Sequence, residues 1–202
     1  MRRLGILGGT FDPIHYGHLF IAEEARMRLN LDQVLFIPNG DPPHKENGDL
    51  SPAHHRLHMT CLAIDSNLSF FASSIEIERE GPSYAADTLR AIRREYSDPD
   101  LRFIMGMDNI AELPTWHLPL EILALCRIAA VSRPGFDAAS VLRSLPDGYR
   151  ERIDVLEAPG INISATEIRN RVRQRLPIRY LTPDPVVEYI TQTGLYRADQ
   201  AA

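Results

Sequence analysis

The sequence predicts an α/β fold in which helices wrap both faces of a parallel sheet, a doubly wound arrangement. Six short apolar runs recur along the chain, and stretches with helical spacing separate them. The runs cover residues 4–7, 34–38, 70–77, 101–105, 128–132 and 153–156. Strands that alternate with helices build parallel sheets, because each helix carries the chain back to the starting edge.

The segments between the apolar runs supply the helices. Leu19, Ala22, Ala25 and Leu29 form an apolar stripe after the first run, and residues 57, 61 and 64 repeat this spacing before the third. Near the end of the chain, residues 184–193 follow a proline and stop at a glycine, which is typical of a helix.

Size and composition predict one domain over residues 1–202. We expect its last ~40 residues, which include residues 163–169, to form a helical extension. The net charge of −5 argues against a nucleic-acid partner, and we find no apolar stretch of membrane-spanning length. Cys61 and Cys126 lie in apolar surroundings without a CxxC partner. We therefore expect buried free thiols, a cytoplasmic location and no membrane partner.

Three of the predicted strands end in glycine or polar residues. These exits are Gly8-Gly9-Thr10, Pro38-Asn39-Gly40 and Gly106-Met107-Asp108. The carboxyl ends of parallel strands meet at one edge of a sheet, where ligands bind in such folds. The three exits therefore predict one binding crevice.

The first exit leads into two histidines, His15 and His18, where a helix should begin. Gly8 and Gly9 allow the backbone to turn sharply and to approach a ligand closely. A helix start offers unpaired N–H groups to an anion, and two imidazoles three residues apart share one face of the first turn. This combination indicates a phosphate site.

A second helix start lies at residues 163–169. Ser164 and Glu167 have the spacing of a capping box, which a purely structural role would explain. Such a role does not explain Thr166 and Arg169. Phosphate binding would, because a hydroxyl and a guanidinium at a helix N-terminus can hold a polyphosphate.

Other candidates allow two interpretations. Asp108 can accept from ribose hydroxyls or cap the next helix, and Trp116 can pack in the core or offer a flat π surface. Ser83 has the place of an N-cap residue for the helix that follows. We expect no metal site at His54 and His58, because a zincin-type pair needs a glutamate after the first histidine.

The string from Gly9 to His18 resembles the GTFDPxHxGH signature of the nucleotidyltransferase superfamily. Over nearly its full length, the chain is similar to bacterial nicotinate-nucleotide adenylyltransferases. The resemblance implies a Rossmann-like sheet and transfer of AMP from ATP to nicotinate mononucleotide. The products would be nicotinate adenine dinucleotide and pyrophosphate, a step of NAD biosynthesis.

The resemblance also implies roles for individual residues. His15, His18 and Arg169 would be catalytic. Those that would bind ATP are Gly8, Gly9, Thr10, Phe11, Gly106, Asp108, Ile163, Ser164 and Thr166. Those that would bind nicotinate mononucleotide are Asn39, His44, Lys45, Ser83, Tyr84, Ala85 and Trp116. Mg²⁺ would be carried by ATP with few protein ligands, and a homo-oligomer is compatible with the family.

Two positions depart from the family pattern, and two other functions compete. Ala165 and Ala85 each replace a hydroxyl residue, which leaves only backbone N–H groups there. Pantetheine-phosphate adenylyltransferase shares both phosphate motifs, but His15, residues 83–89 and Trp116 favour the nicotinate substrate. A non-catalytic nucleotide sensor is the third interpretation, and the intact histidines and Arg169 argue against it.

Overall fold

A computed structural model describes residues 2–42, 50–97, 99–133 and 135–197. Within these ranges, six strands form one sheet. Their bounds are β1 Arg3–Gly9, β2 Gln33–Pro38, β3 Phe70–Ala72, β4 Asp100–Gly106, β5 Arg127–Ser132 and β6 Ile153–Glu157. Every strand pair is parallel, and the order across the sheet is β3-β2-β1-β4-β5-β6. The predicted doubly wound α/β fold is confirmed.

The order of the strands determines where a ligand can bind. The chain runs outward in one direction from β1 to β3, then returns to the other side of β1 with β4. At this switch point the connections leave β1 and β4 on opposite faces, which opens a crevice beyond their carboxyl ends. The predicted exits after β1, β2 and β4 all lie at that edge.

Helices cover both faces of the sheet, and side chains along the central strands alternate between two apolar clusters. In β2, Val34 and Phe36 face one cluster, whereas Leu35 and Ile37 face the other. The first cluster packs against α1 Tyr16–Arg28, α2 Ala53–Ile64, α6 Ala165–Arg173 and α7 Asp184–Thr193. The second packs against α3 Ala85–Glu95, α4 Pro119–Leu125 and the 3₁₀ helix Met107–Thr115, while α5 Ala138–Ser144 lies at its margin.

Two sequence expectations about the fold are wrong. The strand predicted at 70–77 ends at Ala72, because Ser73 makes the last bond to β2 and residues 74–78 then turn on themselves. Cys61 is exposed on α2 rather than buried, whereas Cys126 is buried; both thiols are free. Among the described residues, no helix has the length and apolar character needed to cross a membrane.

Candidate active site

Two adjoining cavities, lined by described residues, open at the carboxyl edge of the sheet. The larger, of about 780 Å³, extends toward the start of α3, and we call it the α3 cavity. The smaller, of about 480 Å³, extends toward the start of α6, and we call it the α6 cavity. Both are lined by Thr10, His18, Ile21, Gly106 and Asn109, so they meet in front of the β1 and β4 exits.

The two histidines stack at the start of α1, as their spacing predicts. His15 is the N-cap residue and His18 lies three residues on, with their ring centroids 3.7 Å apart. The backbone N–H of His15 donates to Nδ1 of His18 over 3.2 Å. Nδ1 therefore carries no proton, and the remaining nitrogen, Nε2, is the N–H donor of the neutral ring.

Burial keeps both rings neutral. It lowers the pKa of His15 to about 4 and the pKa of His18 well below its usual range, with the neighbouring His15 adding to the second effect. Among the described residues, the buried Nδ1 of His15 has no hydrogen-bond partner. A buried polar atom of this kind at a cavity wall is a candidate ligand contact.

The turn between β1 and α1 is made at Phe11 rather than at the glycines. Gly8 and Gly9 are the last residues of β1, whereas Phe11 has a φ of +49°. A Cβ at Gly9 would come within 2.9 Å of the Phe11 ring, so the glycine makes room for that ring. The expectation of a glycine turn is wrong in its position, although the tight loop that it predicted exists.

Buried polar contacts fix this loop. Asp12 accepts from the Tyr196 hydroxyl at 2.6 Å and from the Ser51 N–H at 3.2 Å. The buried guanidinium of Arg56 donates to the carbonyls of Thr10 and Gly40, at 2.9 and 3.3 Å, and to the Ser51 carbonyl. Arg56 therefore ties the exits of β1 and β2 together, a role that the sequence analysis missed.

The segment at 163–169 reaches the same loop. Nη1 of Arg169 donates to the Asp12 carbonyl at 2.8 Å, and Nη2 lies 3.3 Å from the Thr166 hydroxyl. Its buried Nε has no partner among the described residues. Neither Thr166 nor Arg169 lines the two cavities, whereas Ile163 and Ser164 line the α6 cavity.

The predicted capping box is only half formed. Ser164 is the N-cap residue of α6, and its hydroxyl accepts from the Glu167 N–H at 3.1 Å. The Glu167 carboxylate lies 3.7 Å from Arg171 on the outer face of the helix. The helix start is therefore capped by Ser164 alone.

The exit of β4 forms the wall that both cavities share. Gly106 faces open space, since a Cβ added there would meet no atom within 4 Å, and the residue lines the cavity. Asp108 follows, and both of its carboxylate oxygens accept from Nη2 of Arg133, at 3.0 and 3.2 Å. Asp108 and Arg133 line the α6 cavity together, and the sequence analysis did not find the arginine.

Ser83 has a different partner from the one predicted. The N-cap residue of α3 is Tyr84, and the Ser83 hydroxyl accepts from the N–H groups of Gly40 and Asp41, at 2.9 and 3.2 Å. The loop after β2 offers two N–H groups to this hydroxyl, which outcompete the helix start. Ser83 thus holds the β2 exit against α3.

Aromatic rings close the outer part of the α3 cavity. Trp116 meets Phe103 edge-on with the ring centroids 6.0 Å apart, and Tyr84 stacks on His117 at 4.2 Å. All four side chains line the cavity. His117 directly follows Trp116 but drew no attention in the sequence.

Among the described residues, no group of three or more histidine, cysteine or acidic side chains could hold a metal ion. The histidines of α2 contact α7 instead, since Nδ1 of His55 lies 2.7 Å from the Tyr189 hydroxyl and the His58 ring packs on Tyr189. This histidine group therefore helps to dock α7 on α2.

Comparison with known proteins agrees with this geometry. The cytidylyltransferase-like family matches residues 6–171. A relative from Thermomicrobium roseum, named "Probable nicotinate-nucleotide adenylyltransferase", is 45% identical over 203 residues, covering 100% of this chain and 94% of the relative. A relative of the same name from Roseiflexus is 50% identical over 196 residues, covering 96% of this chain and 98% of the relative.

The chain belongs to the nicotinate-nucleotide adenylyltransferase family. Its fold also matches a solved structure described as Plasmodium falciparum nicotinic acid mononucleotide adenylyltransferase complexed with NaAD. The TM-score is 0.79 at 19% identity, covering 97% of this chain and 98% of that one. At 19% identity, this match shows that the two proteins share a fold.

The enzyme brings most of its predicted site residues to the two cavities. The α3 cavity contains Gly8, Gly9, Asn39, Ser83, Tyr84, Ala85 and Trp116. The α6 cavity contains Phe11, His15, Asp108, Ile163 and Ser164. His44 and Lys45 lie outside the described residues, and Thr166 and Arg169 line neither cavity.

Proposed function

We propose that this enzyme transfers AMP from ATP to the 5′-phosphate of nicotinate mononucleotide, giving nicotinate adenine dinucleotide and pyrophosphate. The observation that carries this proposal is the meeting of two nucleotide-sized cavities at His18. A transfer between two nucleotides needs two binding spaces with one reacting phosphate between them. The names of the relatives, at up to 50% identity, support the same substrates.

The α6 cavity suits ATP. It is lined by the N-cap residue of α6, by the imidazoles of His15 and His18, and by Arg133. Helix N-termini and guanidinium groups bind phosphates, and Asp108 can exchange its contact with Arg133 for ribose hydroxyls. We place the triphosphate at the start of α6 and the adenosine toward Asp108.

The α3 cavity suits nicotinate mononucleotide. Its aromatic side chains offer a surface for the pyridine ring, with Trp116 the candidate for stacking. The first helical bond of α3 runs from the Thr88 N–H to the Tyr84 carbonyl, so the N–H groups of residues 85–87 form a first turn without partners in the described part of the chain. These groups can receive the pyridine carboxylate. His44 and Lys45 are proposed to contact the same nucleotide.

The reaction then requires no protein nucleophile. An oxygen of the nicotinate mononucleotide phosphate attacks the α-phosphorus of ATP, a new P–O bond forms, and the bond to the β-phosphate oxygen breaks to release pyrophosphate. Nε2–H of His18 donates to the α-phosphate as its charge grows. His15, Thr10 and Arg169 hold the phosphates from the other side, once Arg169 turns from Asp12.

Mg²⁺ fits this site as an ion carried by ATP. The acidic side chains of the α6 cavity are Asp12, already bonded to Tyr196 and Ser51, and Asp108, paired with Arg133. Bound to the phosphates, the ion would neutralise part of the negative charge on their oxygens. Two unpaired cysteines fit a reducing, cytoplasmic location, and a homo-oligomer is compatible with the proposal.

The test is pyrophosphate release from ATP and Mg²⁺ by the purified protein. We expect release only when nicotinate mononucleotide, or more weakly its amide, is added. Arg94→Lys, on the exposed end of α3, is the control variant and should behave as wild type. No release with nicotinate mononucleotide would refute the proposal, and release without any acceptor would make the enzyme an ATP hydrolase.

A further inference from the structure

Glu76 is a buried carboxylate on the wall of the α3 cavity that the proposed reaction does not use. It is 4% exposed, and it follows β3 in the segment that was predicted as a strand. Oε1 accepts from the Thr88 hydroxyl at 2.6 Å, and Oε2 accepts from Nδ2 of Asn39 at 2.9 Å. A buried charge of this kind is retained only where its partners satisfy it.

The hydrogen bonds around Glu76 have a fixed direction. Nη2 of Arg79 donates to the Thr88 hydroxyl at 3.1 Å, and that hydroxyl donates to Glu76 at 2.6 Å, a shorter contact than its 3.2 Å to the Tyr84 carbonyl. Arginine can only donate and a carboxylate can only accept. Asn39, at the other end of this chain of bonds, must therefore turn its Nδ2–H to Glu76.

The direction of these bonds determines which side-chain atom of Asn39 is free to form a hydrogen bond with a ligand. One N–H of Nδ2 donates to Glu76, and the backbone N–H of Asn39 donates to the Gly9 carbonyl at 2.9 Å. Its carbonyl oxygen Oδ1 has no partner among the described residues, and Asn39 lines the α3 cavity. Asn39 therefore presents Oδ1 to that cavity as an acceptor, while Glu76 holds one of the two N–H groups of its amide.

A hydrogen-bond donor on the ligand would satisfy Oδ1 at this position. On nicotinate mononucleotide at neutral pH, the phosphate and the carboxylate are anionic acceptors, and the pyridinium ring has no N–H. The ribose hydroxyls are its donors. The backbone around Glu76 also leaves little freedom, because a Cβ at Gly40 would come within 2.2 Å of the Glu76 carbonyl oxygen.

We propose that Glu76 is a positioning residue, which holds the Asn39 amide so that Oδ1 accepts from a ribose hydroxyl of the acceptor nucleotide. This inference rests on the proposed function, since it takes the α3 cavity to bind nicotinate mononucleotide. Glu76 thereby makes this part of the cavity specific for ribose and unfavourable for phosphate.

The first test is an exchange of polarity between the two residues. Asn39→Asp places two carboxylates face to face and should raise the KM for nicotinate mononucleotide by about tenfold or more, with the KM for ATP within about threefold. Adding Glu76→Gln should restore most of the loss. The introduced amide can donate to the introduced carboxylate, whose second oxygen still faces the cavity.

The control for this exchange is Asn67→Asp. Asn67 likewise donates its amide to a glutamate, Glu23, at 3.3 Å, but it lies outside both nucleotide cavities. We expect its KM values to match the wild type. Failure of the double variant to recover, in folded protein, would overturn the inference.

A second test uses Asn39→Ala with 2′-deoxy and 3′-deoxy nicotinate mononucleotide, and it does not depend on the charged variants folding. One deoxy analogue should lower kcat/KM about tenfold with the wild type but by less than about threefold with Asn39→Ala. Equal losses in both proteins would overturn the inference alone. Wild-type protein that does not turn over nicotinate mononucleotide would refute the proposed function instead.

Discussion

Nε2 of His18 is the N–H donor at the junction of the two cavities. Its other nitrogen is occupied by the His15 N–H, so the ring acts as a neutral donor whose direction is fixed in advance. Such donors stabilise a transition state more than a ground state. His18→Ala should lower kcat by about 10²–10³, with a much smaller change in ATP affinity.

Steady-state kinetics and equilibrium ATP binding measure these two effects separately. His54→Ala, on the exposed face of α2, is the matched control and should keep its kcat. A folded His18→Ala enzyme with nearly wild-type kcat would show that the reacting phosphate lies elsewhere.

His15 should make the enzyme sensitive to acid. Burial lowers its folded pKa to about 4 from 6.5, so between these values the unfolded chain binds more protons than the folded one. The free energy of unfolding therefore has its full value above about pH 6.5 and decreases as the pH falls toward 4. His15 alone should contribute a loss of about 2 kcal/mol at about pH 5, and His18 acts in the same direction.

The measurement is the free energy of unfolding in urea at about pH 5 and about pH 7. His15→Asn should show a smaller fall between the two than the wild type, because asparagine does not titrate. An equal fall in both proteins would mean that His15 is not held neutral by burial.

Sequence reasoning found side chains better than it found their partners. The histidine pair and the Ser164 cap follow from local spacing, and both exist. The hydroxyl of Ser83 and the carboxylate of Asp108 were assigned to local or ligand contacts. Both instead meet groups more than 20 residues away, the loop after β2 and Arg133. Spacing along the chain carries no information on such pairs.

Arg56 connects three chain segments and should matter for both stability and activity. Its guanidinium donates to three backbone carbonyls, including those of Thr10 and Gly40 at the β1 and β2 exits. Lysine cannot reproduce this planar arrangement of donors. Arg56→Lys should lower the free energy of unfolding by about 2–4 kcal/mol and reduce kcat/KM in the folded fraction.

Urea unfolding and kinetics on the same preparation test this expectation, with Arg94→Lys as the control. The sequence analysis placed the segment around Arg56 on a helix and weighed its histidines as a metal site, but it gave Arg56 no role, because a buried arginine cannot be told from a solvated one by its neighbours. Wild-type stability and activity in Arg56→Lys would contradict its structural role.

The start of α3 should discriminate between the acid and amide forms of the substrate. The unpaired N–H groups of residues 85–87 favour a carboxylate, whereas an amide would turn its NH₂ group toward other donors. Ala85→Asp adds a negative charge where the carboxylate is expected and should lower the ratio of kcat/KM values, acid over amide. An unchanged ratio would place carboxylate recognition elsewhere, and Asn67→Asp is again the control.

The whole sheet was easier to predict than its details. Six apolar runs and the helical stripes between them are sufficient for a parallel α/β sheet, since the central strands bury both faces. The order of the strands depends on crossover direction, which the runs do not encode, and the sequence analysis predicted a Rossmann-like sheet without giving that order. The length of β3 depended on Ser73, where pairing with β2 ends.

The proposed reaction requires that the α3 cavity selects nicotinate mononucleotide. The most direct measurement is a competition in one tube, with limiting ATP and equal amounts of nicotinate mononucleotide, its amide and phosphopantetheine, and with products identified by mass spectrometry. We expect nicotinate adenine dinucleotide to dominate, with less of the amide product and no adenylylated pantetheine. Adenylylated pantetheine as the main product would contradict the account.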